Sequence, residues 1–189
     1  MKSTVINRIA VFCGSATGSD PAFRKVCIDA AEMLHSHRIG LVYGGGNIGL
    51  MGILADEMLR LGGEVTGIIP QKLVDIEVVH NGLTNLHIVP GMHERKALMT
   101  KLSDAFLILP GGIGTMDEFF EVFTWLQLGY HQKPVALLNT NGFYNNLIGL
   151  LESMVQQGFL KHDRYDQLII GEELSDLIDR ITHSENRFP

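Results

Sequence analysis

The residues best suited to chemistry in this sequence form a glycine-rich segment that ends in a carboxylate. Residues 110–118 read PGGIGTMDE and follow an apolar run, 105–109, that predicts a buried parallel strand. A helical pattern continues over 119–128, so the segment would be a strand-to-helix turn. Backbone N–H groups and the positive end of the helix dipole favour a phosphate at such a turn. Binding a phosphate does not require the acid Glu118, whereas cleavage of a phosphorylated substrate can use one. The segment therefore indicates an enzyme acting on a nucleotide or sugar phosphate.

Glu118 has a second interpretation as part of a helix cap. The pattern Thr115-x-x-Glu118 matches a capping box, in which Thr115 caps the helix and Glu118 reaches back to the N-cap backbone N–H. Capping and catalysis are equally consistent with this pattern. They do not exclude each other, because a helix N-terminus also favours a negatively charged carboxylate.

A second glycine-rich segment, residues 44–49, satisfies G-x-G-x-x-G and brings a dinucleotide-dependent dehydrogenase into consideration. That fingerprint also needs an acid at the end of the next strand. Here the next strand ends at Pro70, and the nearby acid, Glu64, precedes it. We therefore interpret the segment as a second phosphate-facing loop, whose glycines let the backbone approach a ligand and let helix 49–61 pack closely. Glycines required only by tight turns are the alternative.

Two adjacent cations, Arg95 and Lys96, stand near the start of a predicted helix over residues 92–102. Cations are unfavourable there because the helix dipole is positive at that end. Their position therefore indicates that an anion is bound nearby. Arg95 offers a planar fork of donors and Lys96 a point charge, and both suit a phosphate or a carboxylate. A solvated surface pair is the alternative, and for His93 an exposed or capping position is favoured over chemistry.

The elements that must position these residues alternate along the whole chain. Apolar runs predict strands at residues 9–13, 40–43, 65–69, 86–89, 105–109, 135–139 and 168–170. Helical periodicity predicts helices at residues 21–37, 49–61, 92–102, 119–128, 144–157 and 174–181, and residues 71–82 read as irregular. This order predicts a single Rossmann-like, doubly wound α/β domain, a parallel sheet with helices on both faces. Its ligand is expected at the carboxyl ends of the strands.

Length and composition limit the class of protein. A chain of 189 residues is usually one domain, so we predict a single domain over residues 1–189. The net charge of −6 argues against a non-specific nucleic-acid binder. Cys13 and Cys27 fall in apolar and helical segments, which predicts core thiols in a reducing compartment. The sequence shows no leader and no apolar run of membrane-spanning length, so we expect a cytoplasmic protein without a membrane partner.

Three motifs occur in order along the chain, at residues 43–52 (YGGGNIGLMG), 92–96 (MHERK) and 110–118 (PGGIGTMDE). Together they resemble the LOG (LONELY GUY) family of cytokinin riboside 5′-monophosphate phosphoribohydrolases, often mislabelled as lysine decarboxylases. Shorter matches, at residues 12–15, 123–129, 131, 133–134, 137–139 and 158–159, extend the resemblance over nearly the whole chain. Met116 and Asp117 stand where the family usually has Leu-Glu. This difference leaves Glu118 in place and bears on substrate preference.

The resemblance implies hydrolysis of the N-glycosidic bond of a nucleoside 5′-monophosphate, including AMP, with release of the free base and ribose 5-phosphate. It implies no metal and no organic cofactor, and it places catalysis on Arg95 and Glu118. The substrate contacts that it implies are Gly14, Ser15, Gly45, Gly46, Glu77, Arg95, Lys96, Gly111, Gly112, Ile113, Gly114, Thr115, Met116, Asp117 and Thr124. Cleavage of a ribosyl C–N bond builds positive charge on the sugar, which a fixed carboxylate can stabilise.

The sequence is consistent with more than one interpretation of the assembly and of the function. Family members are commonly homodimers, and the helix over residues 119–128, with Trp125, is either a dimer interface or an ordinary core helix. A nucleotide-binding or sensing protein of the same superfamily without turnover is an alternative function. A decarboxylase would need pyridoxal phosphate on a lysine, and Lys96 and Lys101 lack a recognisable cofactor framework. The sequence does not distinguish adenine from an N6-isoprenoid adenine as the base.

Overall fold

Strands and helices alternate along the chain in the computed structural model, which describes residues 5–74 and 79–183. The strands are β1 (Arg8–Phe12), β2 (Gly40–Tyr43), β3 (Val65–Pro70), β4 (Asn85–Val89), β5 (Ala105–Ile108), β6 (Val135–Leu138) and β7 (Leu168–Gly171). The helices are α1 (Pro21–Ser36), α2 (Gly49–Arg60), α3 (Gln71–Val74), α4 (Met92–Leu102), α5 (Ile113–Gln127), α6 (Asn145–Gln156), α7 (His162–Tyr165) and α8 (Leu174–Thr182), with a 3₁₀ turn at Thr140–Gly142.

The strands form one parallel sheet in the order β4-β3-β2-β1-β5-β6-β7. The chain builds outward from β1 to β4, returns through α4, and builds outward again from β5 on the other side of β1. The order therefore reverses between β1 and β5, where Ile9 pairs with Ala105 and Phe12 with Ile108. The crevice at the carboxyl ends of the strands at such a reversal is the usual ligand site of doubly wound sheets. The predicted fold class is confirmed.

The central strands are continuous apolar runs because helices cover both faces of the sheet. Successive residues of a strand point to opposite faces. Ile9 and Val11 pack in a core with α1, α2 and α8, whereas Ala10 and Phe12 pack in a second core with α4, α5 and α6. All four are 3% exposed or less. Packing on both faces fixes β1 and its neighbours, and they in turn fix the loops at their carboxyl ends.

The largest difference from the predicted elements is the start of α5, which begins at Ile113 and not near residue 119. Apolar periodicity marks only the residues that a helix buries. In the first turn of α5 the residues before Thr115 are exposed, so the pattern did not reveal it. The short helices α3 and α7 were not predicted either. In the described ranges, the helices are all too short or too polar to cross a membrane.

Candidate active site

A cavity of about 150 Å³ opens at the reversal of strand order. Its walls come from the loop after β1 and from helices α2, α4 and α5. The lining residues are Cys13, Ser15, Met51, Arg95, Gly112, Ile113, Gly114, Thr115 and Glu118. Both predicted catalytic residues therefore share one small cavity with part of the glycine-rich segment.

Arg95 is held in the cavity wall by main-chain carbonyls of two neighbouring strand ends. Its Nε donates to the carbonyl of Ile68 at 3.1 Å, and its Nη2 donates to the carbonyl of Gly44 at 3.4 Å. A Cβ at Gly44 would lie 2.1 Å from Nη2, so the absence of a side chain there makes room for the guanidinium group. Arg95 is 8% exposed. A rigid, nearly dry fork of donors is pre-organised for an anionic group.

Glu118 faces Arg95 across the contact between α4 and α5. Its Oε1 lies 3.5 Å from Nη2 of Arg95, and its side chain is 12% exposed. The carboxylate belongs to the second turn of α5, near the positive end of that helix. A fixed negative charge therefore lies beside a fixed positive charge at the wall of the cavity.

The predicted capping box is wrong. Gly112, not Thr115, is the N-cap of α5, and a glycine has no side chain that could cap the start of the helix. A capping residue needs an extended backbone, whereas Thr115 is the third helical residue. Thr115 is buried and packs against Gly111, where a Cβ would lie 2.1 Å from Oγ1 of Thr115. The N–H groups of the first turn, which have no intrahelical acceptor, are therefore not engaged by a capping side chain.

The second glycine-rich loop packs against the loop after β1. Leu50 and Met51, at the start of α2, donate their N–H groups to the carbonyl of Gly14 at 3.0 and 3.3 Å. Gly45 and Gly46 are buried, and they do not line the cavity around Arg95 and Glu118. The loop thus has a clear packing role, and substrate contacts at these two glycines stay a prediction.

Lys96 extends toward carboxylates of α5. Its Nζ lies 2.5 Å from Oε2 of Glu121 and 3.1 Å from Oδ2 of Asp117. Burial by itself lowers the pKa of Lys96, but the hydrogen bonds and charges of Glu121 and Asp117 outweigh burial and raise that pKa. Lys96 is therefore a charged link between α4 and α5.

Two of the other predicted substrate contacts, Met116 and Thr124, do not lie in the wall of the cavity. Met116 packs half-buried against the core that contains α4 and α5. Thr124 is exposed on the outer side of α5 and does not line the cavity. Glu77 lies outside the described residues. Sequence reasoning gave Glu121 only as an alternative to Glu118 for the catalytic carboxylate, although its spacing of three residues from Glu118 places both on one side of α5.

Cys13 forms part of the cavity wall. A hydrogen bond with Cys27, together with burial, raises the pKa of the Cys13 thiol. Both cysteines are buried and free, so the predicted core location is confirmed. Across residues 5–74 and 79–183, no group of three or more His, Cys, Asp or Glu side chains is placed to hold a metal ion.

The fold and the site define a Rossmann-like α/β protein with an uncapped helix N-terminus beside a fixed Arg–Glu pair. Two solved structures share the fold. The molybdenum cofactor binding protein of Rippkaea orientalis has a TM-score of 0.70 at 20% identity, over 95% of this chain and 97% of that one. The molybdenum cofactor carrier protein of Chlamydomonas reinhardtii has a TM-score of 0.69 at 15% identity, over 93% and 96%. At these identities the likeness concerns the fold alone.

Comparison of sequences identifies the family to which this chain belongs. Residues 51–181 match the family model described as "Possible lysine decarboxylase". The cytokinin riboside 5′-monophosphate phosphoribohydrolase LOG3 of Arabidopsis thaliana is 40% identical over 181 residues, which are 96% of this chain and 84% of that protein. The cytokinin riboside 5′-monophosphate phosphoribohydrolase of Rhodococcoides fascians is 42% identical over 174 residues, 92% of this chain and 88% of that protein. This chain belongs to the LOG family, and the resemblance of its motifs is confirmed.

Proposed function

We propose that this chain is an enzyme that hydrolyses the N-glycosidic bond of nucleoside 5′-monophosphates, with cytokinin riboside 5′-monophosphates and AMP as substrates. The products are the free base and ribose 5-phosphate. The observation that carries this proposal is the Arg95–Glu118 pair, set in a small cavity beside the uncapped N-terminus of α5. The activities in the names of the two phosphoribohydrolases support the same reaction.

The 5′-phosphate is proposed to bind at the N-terminus of α5. Gly112, Ile113 and Gly114 are exposed there, and a Cβ at either glycine would meet nothing within 4 Å. Backbone N–H groups and the helix dipole bind a phosphate at such a position without a cation. Binding energy from this non-reacting phosphate would hold the ribose beside Glu118.

Glu118 is the proposed carboxylate of the chemical step. As the C1′–N bond breaks, its electron pair leaves with the base and positive charge builds on the ribose. A fixed carboxylate stabilises that charge and accepts a proton from the water that attacks C1′. The water oxygen stays on C1′, and the proton passes to the departing base. The substrate and one water molecule thus supply all the atoms of the two products.

Arg95 is the proposed partner that orients Glu118. Its Nε and Nη2 contact the carbonyls of Ile68 and Gly44, so the guanidinium group presents a charge whose position is set by the sheet. A charge fixed in this way orients the carboxylate of Glu118 or a hydroxyl of the substrate at no cost during the reaction.

Incubation of the purified protein with AMP and with isopentenyladenosine 5′-monophosphate tests the proposal. We expect chromatography to detect the free base in step with ribose 5-phosphate, and the relative kcat/KM values identify the preferred base. Binding of both nucleotides without release of base would contradict the proposal and indicate a nucleotide-binding protein. A visible absorbance band of lysine-bound pyridoxal phosphate would instead support the decarboxylase description.

Gly44→Ala is expected to lower kcat on AMP about 10-fold, because the new Cβ would displace Nη2 of Arg95. Misplacement of a catalytic group by about 1 Å lowers the rate by up to ~10²-fold. We expect a smaller effect here, because the flexible side chain of Arg95 can move aside and relieve part of the overlap. Gly149→Ala, in α6, is the matched control, since a Cβ there meets nothing within 4 Å. Steady-state rates of adenine release compare the two variants. An unchanged kcat for Gly44→Ala would show that the position of Arg95 does not limit the reaction.

The outer side of α5 is the proposed interface of a homodimer. The inner side of the helix belongs to the core, with Phe119 and Phe123 buried. On the outer side Phe120, Thr124 and Leu128 are exposed at a spacing of four residues, which places them along one side of the helix. Two large apolar side chains exposed on one side of a helix are candidates for an interaction site. A substrate contact at Thr124 would then be made across the interface.

Static light scattering is expected to give about twice the 20.9 kDa mass of the chain. Leu128→Glu would place an unpaired charge in the interface, so we expect a shift toward the single-chain mass. Leu150→Glu, at an exposed leucine on α6, is the matched control and should keep the dimer. A single-chain mass for the wild type at micromolar concentration would refute the dimer.

The two thiols bear on the compartment in which the protein works. Cys13 and Cys27 are free and buried, as is usual where thiols are kept reduced. We therefore propose a cytoplasmic location. The net charge of −6 fits a protein with a small-molecule substrate and no nucleic-acid partner.

A further inference from the structure

We propose that Glu121 is a positioning residue of this reaction, which fixes α5 against α4 through Lys96, and that Lys96 acts in this link and not as a ligand of the substrate phosphate. The inference rests on the proposed function. It assigns a role to Glu121, and it changes the role that the family resemblance implies for Lys96.

The donors of Lys96 already have acceptors. Its Nζ contacts Oε2 of Glu121 at 2.5 Å and both carboxylate oxygens of Asp117, at 3.1 and 3.3 Å. An ammonium group has three N–H donors. The side chain of Lys96 is 13% exposed, so little of the charge reaches solvent. A phosphate could bind Lys96 only by displacing these carboxylates.

The local charge also opposes a phosphate at Lys96. Two carboxylates surround its single positive charge, so the group of three carries a net negative charge. A phosphate monoester brings about −1.5 to −2 charges near neutral pH. Repulsion by Asp117 and Glu121 therefore disfavours a phosphate at Lys96. The proposed position at the N-terminus of α5, whose N-cap Gly112 has no side chain, is the alternative.

Glu121 is the more deeply placed of the two acids. Its side chain is 16% exposed, against 56% for Asp117. Its Oε1 is buried and has no hydrogen-bond partner among the described residues. The short contact with Lys96 is therefore what mainly compensates a carboxylate that solvent stabilises only in part, and removal of Lys96 would leave that charge largely buried and unpaired.

The link lies beside the catalytic pair. Arg95 and Lys96 are neighbours in α4, and their partners Glu118 and Glu121 are three residues apart on α5. The contact between Arg95 and Glu118 is the longer one, 3.5 Å against 2.5 Å. A small shift of α5 along α4 would thus change the position of the Glu118 carboxylate, and the Lys96–Glu121 contact opposes that shift.

Steady-state kinetics on AMP tests the inference with Lys96→Met, Glu121→Gln, their double variant and Lys96→Arg. We expect each neutralising single variant to lower kcat about 10-fold, as misplacement of a catalytic group does, with KM changed by less than about 3-fold. The double variant should be no slower than Lys96→Met. Lys96→Met alone already breaks the contact, and the added Glu121→Gln removes the carboxylate that Lys96→Met leaves unpaired. Lys96→Arg keeps the charge and should retain most of kcat, which separates positioning from misfolding.

Lys25→Met is the matched control, since Lys25 pairs with Asp29 on the surface of α1, and its kcat should equal that of the wild type. A large rise in KM with near-normal kcat for Lys96→Met would overturn the inference and make Lys96 a phosphate ligand. An unchanged kcat for Glu121→Gln would overturn it as well. Absence of base release by the wild type, from AMP and from isopentenyladenosine 5′-monophosphate, would instead refute the proposed function.

Discussion

Adenosine is expected to be hydrolysed at least ~10³-fold less efficiently than AMP, because adenosine cannot use the proposed phosphate position at the N-terminus of α5. Three charge-assisted hydrogen bonds at about 1.5 kcal/mol each are worth about 4.5 kcal/mol, which corresponds to at least ~10³-fold. Gly112 and Gly114 leave this position open, and Gly112, the N-cap, has no side chain to occupy it. The measurement is kcat/KM for adenine release from the two substrates.

Inorganic phosphate provides a control for this experiment. Addition of phosphate to the adenosine reaction should not restore the rate of AMP hydrolysis, because free phosphate cannot position a ribose to which it is not bonded. Inhibition of AMP hydrolysis by the same phosphate would support binding at the proposed position. Comparable kcat/KM values for adenosine and AMP would contradict the assignment of α5 as the phosphate site.

Glu118→Gln is expected to lower kcat on AMP by at least ~10²-fold, which is the usual effect of removing one pre-organised electrostatic group. Glutamine has nearly the same shape but carries no charge, so it neither stabilises a cationic ribose nor accepts a proton from water. AMP binding should be retained, because the proposed phosphate position does not include this side chain. Adenine release and equilibrium binding of AMP measure the two effects separately.

Stability distinguishes this loss of chemistry from damage to the fold. Glutamine still offers an oxygen to Arg95, which also keeps its contacts with two carbonyls. We therefore expect the free energy of unfolding to fall by no more than about 2 kcal/mol. Glu57→Gln, which neutralises a surface pair with Arg60 on α2, is the matched control and should keep full activity. Full activity of Glu118→Gln would move the catalytic carboxylate elsewhere.

The sequence predicted those strands and helices in which buried apolar residues recur at regular intervals. Residues 40–43 were predicted as a strand and form β2 with the same bounds, because helices cover both faces and every position is apolar. The start of α5 carries no such pattern, since Ile113 and Gly114 are exposed. Periodicity reports burial and not backbone conformation, so it could not place this turn or show that Thr115 is helical.

The pairing within the site depends on distances that no local pattern contains. The motifs named Arg95, Lys96 and Glu118, but the family resemblance alone could not show which cation meets which acid. Arg95 reaches Glu118, whereas Lys96, its neighbour in α4, reaches Glu121. The choice follows from the relative position of α4 and α5, which the whole sheet determines.

The two residues of the proposed catalytic pair belong to opposite halves of the sheet. Arg95 lies on α4, the connection that returns from β4, while Glu118 follows β5, and the halves meet where β1 pairs with β5. A partial opening that parts the halves therefore destroys the binding site, so a bound nucleotide disfavours such openings as well as complete unfolding. At a free concentration one hundred times its Kd, a nucleotide would add about 2.7 kcal/mol to the stability of the assembled sheet. We therefore expect the folded molecule to survive proteolysis for longer as the concentration of nucleotide rises.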